Sequence, residues 1–131
     1  MDETRGNSPV VLSPEQQHVM YLVSSGRSVF FTGPAGTGKS VLLREIIKEL
    51  RPDPSEVNGV AVTASTGIAA LHIGGMTLHS FAGIRLGKGR VEKLVRQIKR
   101  KINILMRWRT TRVLIIDESQ FESVCSVWGQ C

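Results

Sequence analysis

The run Gly33-Pro34-Ala35-Gly36-Thr37-Gly38-Lys39-Ser40 restricts the fold of this chain more than any other stretch. Its three glycines, at 33, 36 and 38, free the backbone of Cβ clashes, so that successive N–H groups can turn inward around an anion. The run fits G-x-x-x-x-G-K-[ST]. In that pattern Lys39 reaches the outer phosphates of a nucleotide, and the Ser40 hydroxyl is placed for Mg²⁺. The flanks agree with this. "SVFF" (28–31) predicts a short strand entering the loop, and "KSVLLREIIKEL" (39–50) an amphipathic helix leaving it, stopped by Pro52. That helix adds the partial positive charge of its N-terminus. A glycine turn that merely caps a helix is the plainer alternative.

The other elements follow from periodicity and punctuation. "LSPEQQHVMYLVSSG" predicts a helix with Ser13 as N-cap, Pro14 at the first helical position, Gln16 in a capping box and Gly26 ending it. "GVAVTA" (59–64) and "RVLIID" (112–117) predict buried strands. "STGIAALHIGG" and "TLHSFAGI" predict short helical pieces, and "DPSEVNG" and "GKGR" predict a turn and a loop. Apolar residues at Val91, Leu94, Val95, Ile98, Ile102 and Leu105 predict one helix to about Met106. Apolar strands alternating with helices imply an α/β fold whose parallel sheet is flanked by helices, a P-loop nucleotide-binding architecture.

Length and composition bound the rest. A chain of 131 residues suits one domain, and 41% hydrophobic with 21% charged residues is a globular composition. No apolar run has the length of a membrane span, so no membrane partner is expected. The opening "MDETRGNSPV" lacks the apolar block of a signal peptide, and residues 1–11 are expected to form a flexible tail. The net charge of +6 is unevenly placed: residues 88–112 hold ten of the 17 Lys and Arg and one acid, Glu92. Such a stripe is either a solvated helix face or a surface for a polyanion such as nucleic acid. Cys125 and Cys131 lack zinc spacing, and neither a disulfide framework nor a metal site at His72 and His79 is expected.

Several side chains admit two readings. Asp117-Glu118 ends an apolar strand, where carboxylates face the ligand crevice of such sheets. Asp117 is placed to hold Mg²⁺ through water, and Glu118 to orient and deprotonate an attacking water. Gln16 is either a helix-capping amide or a reader of the adenine edge, since an amide sets a donor beside an acceptor. Ser65 and Thr66 open a helix directly after a strand; Ser65 is a candidate N-cap, and the pair a candidate phosphate site on a nucleic-acid strand. His79 and Phe81 could pack internally or meet a nucleotide.

Together, "LSPEQ", "VFFTGPAGTGKS", "VAVTASTGIAALHIGGMTLHSFAGI" and "VLIIDE" stand in the order found in PIF-type (petite integration frequency) DNA helicases, which this chain resembles over residues 12–118. The resemblance implies a RecA-like ATPase domain, here incomplete. It implies ATP and Mg²⁺ as cofactors, 5′-to-3′ movement on single-stranded DNA, and unwinding of duplex or G-quadruplex junctions. It implies service in DNA repair, recombination and telomere maintenance, in the nucleus or mitochondrion. By the same resemblance Gln16 contacts adenine, and Gly33, Pro34, Ala35, Gly36, Thr37, Gly38, Lys39 and Ser40 hold the phosphates. Asp117 and Glu118 form the acidic pair; Ser65, Thr66 and Gly67, then Thr77, His79 and Phe81, contact DNA. The tail "SQFESVCSVWGQC" (119–131) departs from the family pattern. The expectation is therefore a truncated motor segment, with about three strands and an exposed sheet edge, that binds but does not unwind DNA alone. The competing expectations are a non-catalytic nucleotide- or DNA-binding fragment and another P-loop ATPase.

Overall fold

The structure, a computed structural model, describes residues 9–33, 36, 38–53, 55, 59–118 and 122–127. The tail at 1–8, most of the turn at 53–59, loop positions Pro34, Ala35 and Thr37, and Cys131 lie outside the described residues.

Helix α1 (Pro14–Ser24) begins as its sequence dictates: the Gln16 N–H donates to Ser13 Oγ at 3.3 Å, and the Ser13 N–H to Gln16 Oε1 at 2.9 Å, closing a capping box. Strand β1 (Val29–Thr32) leads into the glycine loop, and α2 (Lys39–Leu50) leaves it. Strand β2 (Val60–Ala64) is followed by α3 (Gly67–His72), the two-residue strand β3 (Met76–Thr77) and α4 (Leu78–Ala82). Then come α5 (Val91–Arg100), α6 (Ile102–Thr110), β4 (Val113–Glu118) and β5 (Glu122–Val127).

The strands form one five-stranded sheet in the order β1-β5-β4-β2-β3. Strand β2 runs parallel to β3 and to β4, as the α/β reading requires. Two strands were not anticipated. Strand β3 exists because Gly75 lets the chain pass against the Val62 carbonyl, where a Cβ has no room. Strand β5 lies in the segment expected to match nothing. Three residues separate it from β4, too few for a parallel crossover, so it returns antiparallel and pairs with both β4 and β1.

One sheet face carries the main core. Alternate residues Val29, Val60, Val62 and Ile115 pack with Val23 of α1 and with Leu42, Leu43 and Ile46 of α2. On β2, Thr63 is the polar member of the buried set, and its hydroxyl donates to the Ile115 carbonyl at 2.7 Å, which removes the cost of its burial. The helix expected over 91–106 is two helices, broken at Lys101 (φ −102, ψ 98). The break re-aims the second piece, so that Ile104 and Trp108, four residues apart, face α4.

Candidate nucleotide and nucleic-acid site

The glycine loop bridges β1 and α2 as its pattern predicts. Gly36 and Gly38 adopt φ of 84° and 85°, a region that side chains disfavour. Gly38 is the N-cap of α2 and offers no side-chain cap to the first helical turn. The N–H groups at that end, with Lys39 and Ser40 as the first two residues of the helix, form a donor set suited to an anion. No carboxylate stands in the first turn of α2 to oppose it.

A cavity of about 340 Å³ opens there, lined by Ser13, Glu15, Gln16, Val19, Phe31, Thr32, Gly33, Gly38, Lys39 and Leu42. It has the size and mixed lining of a small-molecule pocket. Gln16 joins its two sides: Gln16 Nε2 donates to the Gly38 carbonyl at 3.2 Å while Oε1 stays in the capping box. The two readings of Gln16 are therefore compatible in space, since the capping amide also lines the pocket. The Glu15 carboxyl is held below its usual value by hydrogen bonds from its own backbone N–H and from Ser13.

Asp117 and Glu118 end β4. Strands β1 and β4 are both antiparallel to β5, so they point the same way and bring their C-terminal ends to one edge. Thr32 and Glu118 are each in register with Glu122, which sets their Cα atoms two strand spacings apart, about 10 Å. The glycine loop and the acidic pair thus leave the same end of the sheet, although the cavity at the loop is lined by neither acid. Asp117 is half-buried and Glu118 exposed.

Two of the remaining candidates adjoin this sheet end, Ser65 beside Asp117 and Thr77 in register with Ala64. The Ser65 N–H donates to the Asp117 carbonyl at 3.0 Å, so its backbone is committed to the sheet end. The N-cap of α3 is Thr66 and not Ser65: Thr66 Oγ1 accepts from the Ala69 N–H at 3.2 Å. Thr77 does the same for α4, accepting from the Ser80 N–H at 3.2 Å. Ser65, Thr66, Gly67 and His79 are exposed, and Thr77 half-buried. Phe81 departs from the base-stacking expectation. It is 2% exposed, with the Trp108 ring edge-on at 5.3 Å, so it anchors α4 and offers no face to a base.

Sequence reasoning missed Arg107 and Trp108, which it read as part of a basic stripe. Arg107 Nη1 donates to the Ser80 and Phe81 carbonyls, each at 3.1 Å, and its guanidinium carbon lies 5.7 Å from the Phe81 ring centre. Trp108 Nε1 donates to the Ala82 carbonyl at 3.3 Å. Between them they bind the carbonyl end of α4, where a cation is favoured. The Ile104–Trp108 spacing was the available signal.

Known proteins match this arrangement. The PIF1-like helicase family profile matches residues 11–125. The chain is 60% identical over 116 residues to the ATP-dependent DNA helicase PIF1 of Candida albicans, which covers 88% of this chain and 13% of that protein. The crystal structure of Pif1 helicase from Candida albicans superposes with a TM-score of 0.76 at 62% identity, over 83% of this chain and 24% of that one. A second structure, of two coordinating Pif1 helicases unwinding forked double-stranded DNA, superposes with a TM-score of 0.62 at 33% identity, over 83% of this chain and 25% of that one. The RecA-like expectation thus agrees with the structural neighbours. A match spanning most of its residues, carried on the same fold, makes this chain a member of the PIF1-like helicase family.

Proposed function

We propose that this chain supplies the nucleotide-binding part of a motor that couples ATP hydrolysis to 5′-to-3′ movement on single-stranded DNA and to unwinding of duplex or G-quadruplex junctions. The observation that carries the reading is the shared sheet end: β1, which enters the loop leading to Lys39, and β4, which ends in Asp117 and Glu118, finish on the same side with Thr32 and Glu118 both in register with Glu122. Gln16 would take the adenine edge, and the backbone of residues 33–38, with Lys39, the phosphates. Ser40 and Asp117 would hold Mg²⁺, which when bound neutralises charge on the phosphate oxygens. Glu118 orients a water and accepts its proton as the water oxygen bonds to the γ-phosphorus and the bond to the ADP oxygen breaks.

The DNA face would comprise Ser65, Thr66, Gly67, Thr77 and His79. A threonine hydroxyl that accepts a capping bond keeps its own proton to donate to a phosphate oxygen. Repair, recombination and telomere maintenance, in the nucleus or mitochondrion, are the roles such a motor would serve. The test is whether single-stranded DNA stimulates ATP hydrolysis by the protein that carries this chain, and whether Lys39→Ala abolishes that hydrolysis. Hydrolysis indifferent to DNA, or phosphate transfer to a small molecule, would count against the proposal.

A further inference from the structure

The cations of residues 88–112 do not form one surface. Arg107 is tied to α4, whereas α5 has no buried residue and packs chiefly on α6. Two adjoining hollows lie on α5, of about 300 and 280 Å³, one lined by Lys93, Arg96, Gln97 and Arg100, the other by Arg85, Gln97, Arg100 and Lys101. Gln97 and Arg100 belong to both, so the hollows run together as one groove. Its walls are formed mainly by the carbon stems of these side chains, with the charged ends around the rim, and among the described residues no carboxylate lines it and none of these cations pairs with an acid. Lys93, Arg96 and Arg100 recur at helical spacing, a row with a charge about every 5 Å. Such a row is poised for a regularly spaced polyanion.

One end of the groove lies near the candidate DNA face. A Cβ placed on Gly87 would lie 3.4 Å from His79 Nε2, and Gly87 is two residues from Arg85. His79 therefore lies near the Arg85 end of the groove, whose other residues include Arg100 and Lys93. Helix α5, VEKLVRQIKR, has no aromatic residue on which unpaired bases could stack. The charged rim suits phosphates, and a duplex presents them in fixed geometry.

We propose that the α5 groove holds the phosphate backbone of the duplex arm of a single-strand/duplex junction whose single-stranded arm lies along Ser65 to His79. The inference rests on the DNA-motor reading above. The test is fluorescence anisotropy of the protein, without nucleotide, against a labelled single-stranded oligonucleotide and the same strand carrying a duplex arm, over a range of salt. The triple variant Lys93→Glu, Arg96→Glu, Arg100→Glu should weaken junction binding by about 10- to 100-fold and flatten its salt slope by about 2 to 3. Single-strand affinity should stay within about twofold, a factor smaller than one lost phosphate contact. The matched reversal Arg27→Glu, Arg44→Glu, Lys48→Glu should leave both substrates nearly unchanged. The glutamine triple at 93, 96 and 100, which keeps helix propensity, should act in the same direction more weakly. Equal losses on both substrates, or a wild-type protein that binds the junction no better than the single strand, would overturn the duplex assignment while leaving the motor reading intact. Absence of any DNA binding by the wild-type protein would overturn both.

Discussion

The backbone N–H of Ser65 donates to the carbonyl of Asp117 across 3.0 Å, so the first residue after β2 is pinned to the acidic end of β4. The proposed DNA face and the proposed hydrolytic acids therefore share one piece of sheet edge. Ala64 and Asp117 are also neighbours in the parallel ladder, which continues that tie into the core. A shift of Ser65 and Thr66 on DNA would be felt at Asp117 without any intervening loop.

Gln16 can be separated into its two bonds. Gln16→Glu keeps an oxygen for the capping box but removes the Nε2 donor to Gly38. Stability should hold to within about 0.5 kcal/mol, while ATP affinity falls. Gln16→Ala should lose both, with about 1 kcal/mol of stability gone. Thermal melts and nucleotide titrations of the two variants give the comparison.

Lys39→Ala and Glu118→Gln should part company. The first removes a charge from the phosphate cavity and should abolish both tight ATP binding and turnover. The second keeps the shape of Glu118, exposed at the end of β4, and should retain ATP binding while slowing hydrolysis by at least about 100-fold, the scale of lost general-base catalysis. Equilibrium binding beside steady-state phosphate release decides it.

Thr66 separates capping from DNA contact. Aspartate is as good an N-cap as threonine, so Thr66→Asp should preserve α3 and thermal stability. Its negative charge should nonetheless repel a phosphate and weaken single-strand binding about tenfold or more, the effect of roughly one lost charged contact. Unchanged DNA affinity in a folded Thr66→Asp protein would confine Thr66 to capping.

Gly75 should be intolerant of any side chain. A Cβ there would run into the Val62 carbonyl, which the ladder holds in place, so Gly75→Ala should cost about 2–4 kcal/mol. Gly74→Ala meets open space and bears only the strain of its φ of 67°, about 1 kcal/mol. Chemical denaturation of the pair orders them.

Phe81 and Trp108 should behave as core. Phe81→Ala should lose about 3–5 kcal/mol. Trp108→Phe keeps a ring against Phe81 but loses the bond to the Ala82 carbonyl, for about 1 kcal/mol. If Phe81→Leu binds single-stranded DNA as the wild type does, an anchoring role for Phe81 is supported and base stacking is not.

Much of this was legible because it is written in local chemistry. Ser13, Pro14 and Gln16 specify the start of α1 within one turn, and the glycines at 36 and 38 specify a loop that only their φ values allow. The single long helix over 91–106 was misread because apolar spacing continues through Lys101, while the break serves Ile104 and Trp108 against α4. The cap at Thr66 instead of Ser65 was a one-residue matter, decided by Ser65 pairing with Asp117.

The sequence by itself determined the phosphate loop, the apolar strands and the acidic pair, since each depends on residues close together in the chain. Only the tertiary structure decided what those pieces meet. It buried Phe81 beneath Trp108, joined Gln16 to Gly38, and divided one basic stripe into an anchor at Arg107 and an open groove on α5. It also filled the space between β1 and β4 with β5, whose first four residues the family profile matches although the expected resemblance stopped at Glu118. The reason is physical: local rules set the conformation of a turn or cap, but burial and strand pairing are settled between residues far apart in the chain, by which surfaces remain to be covered.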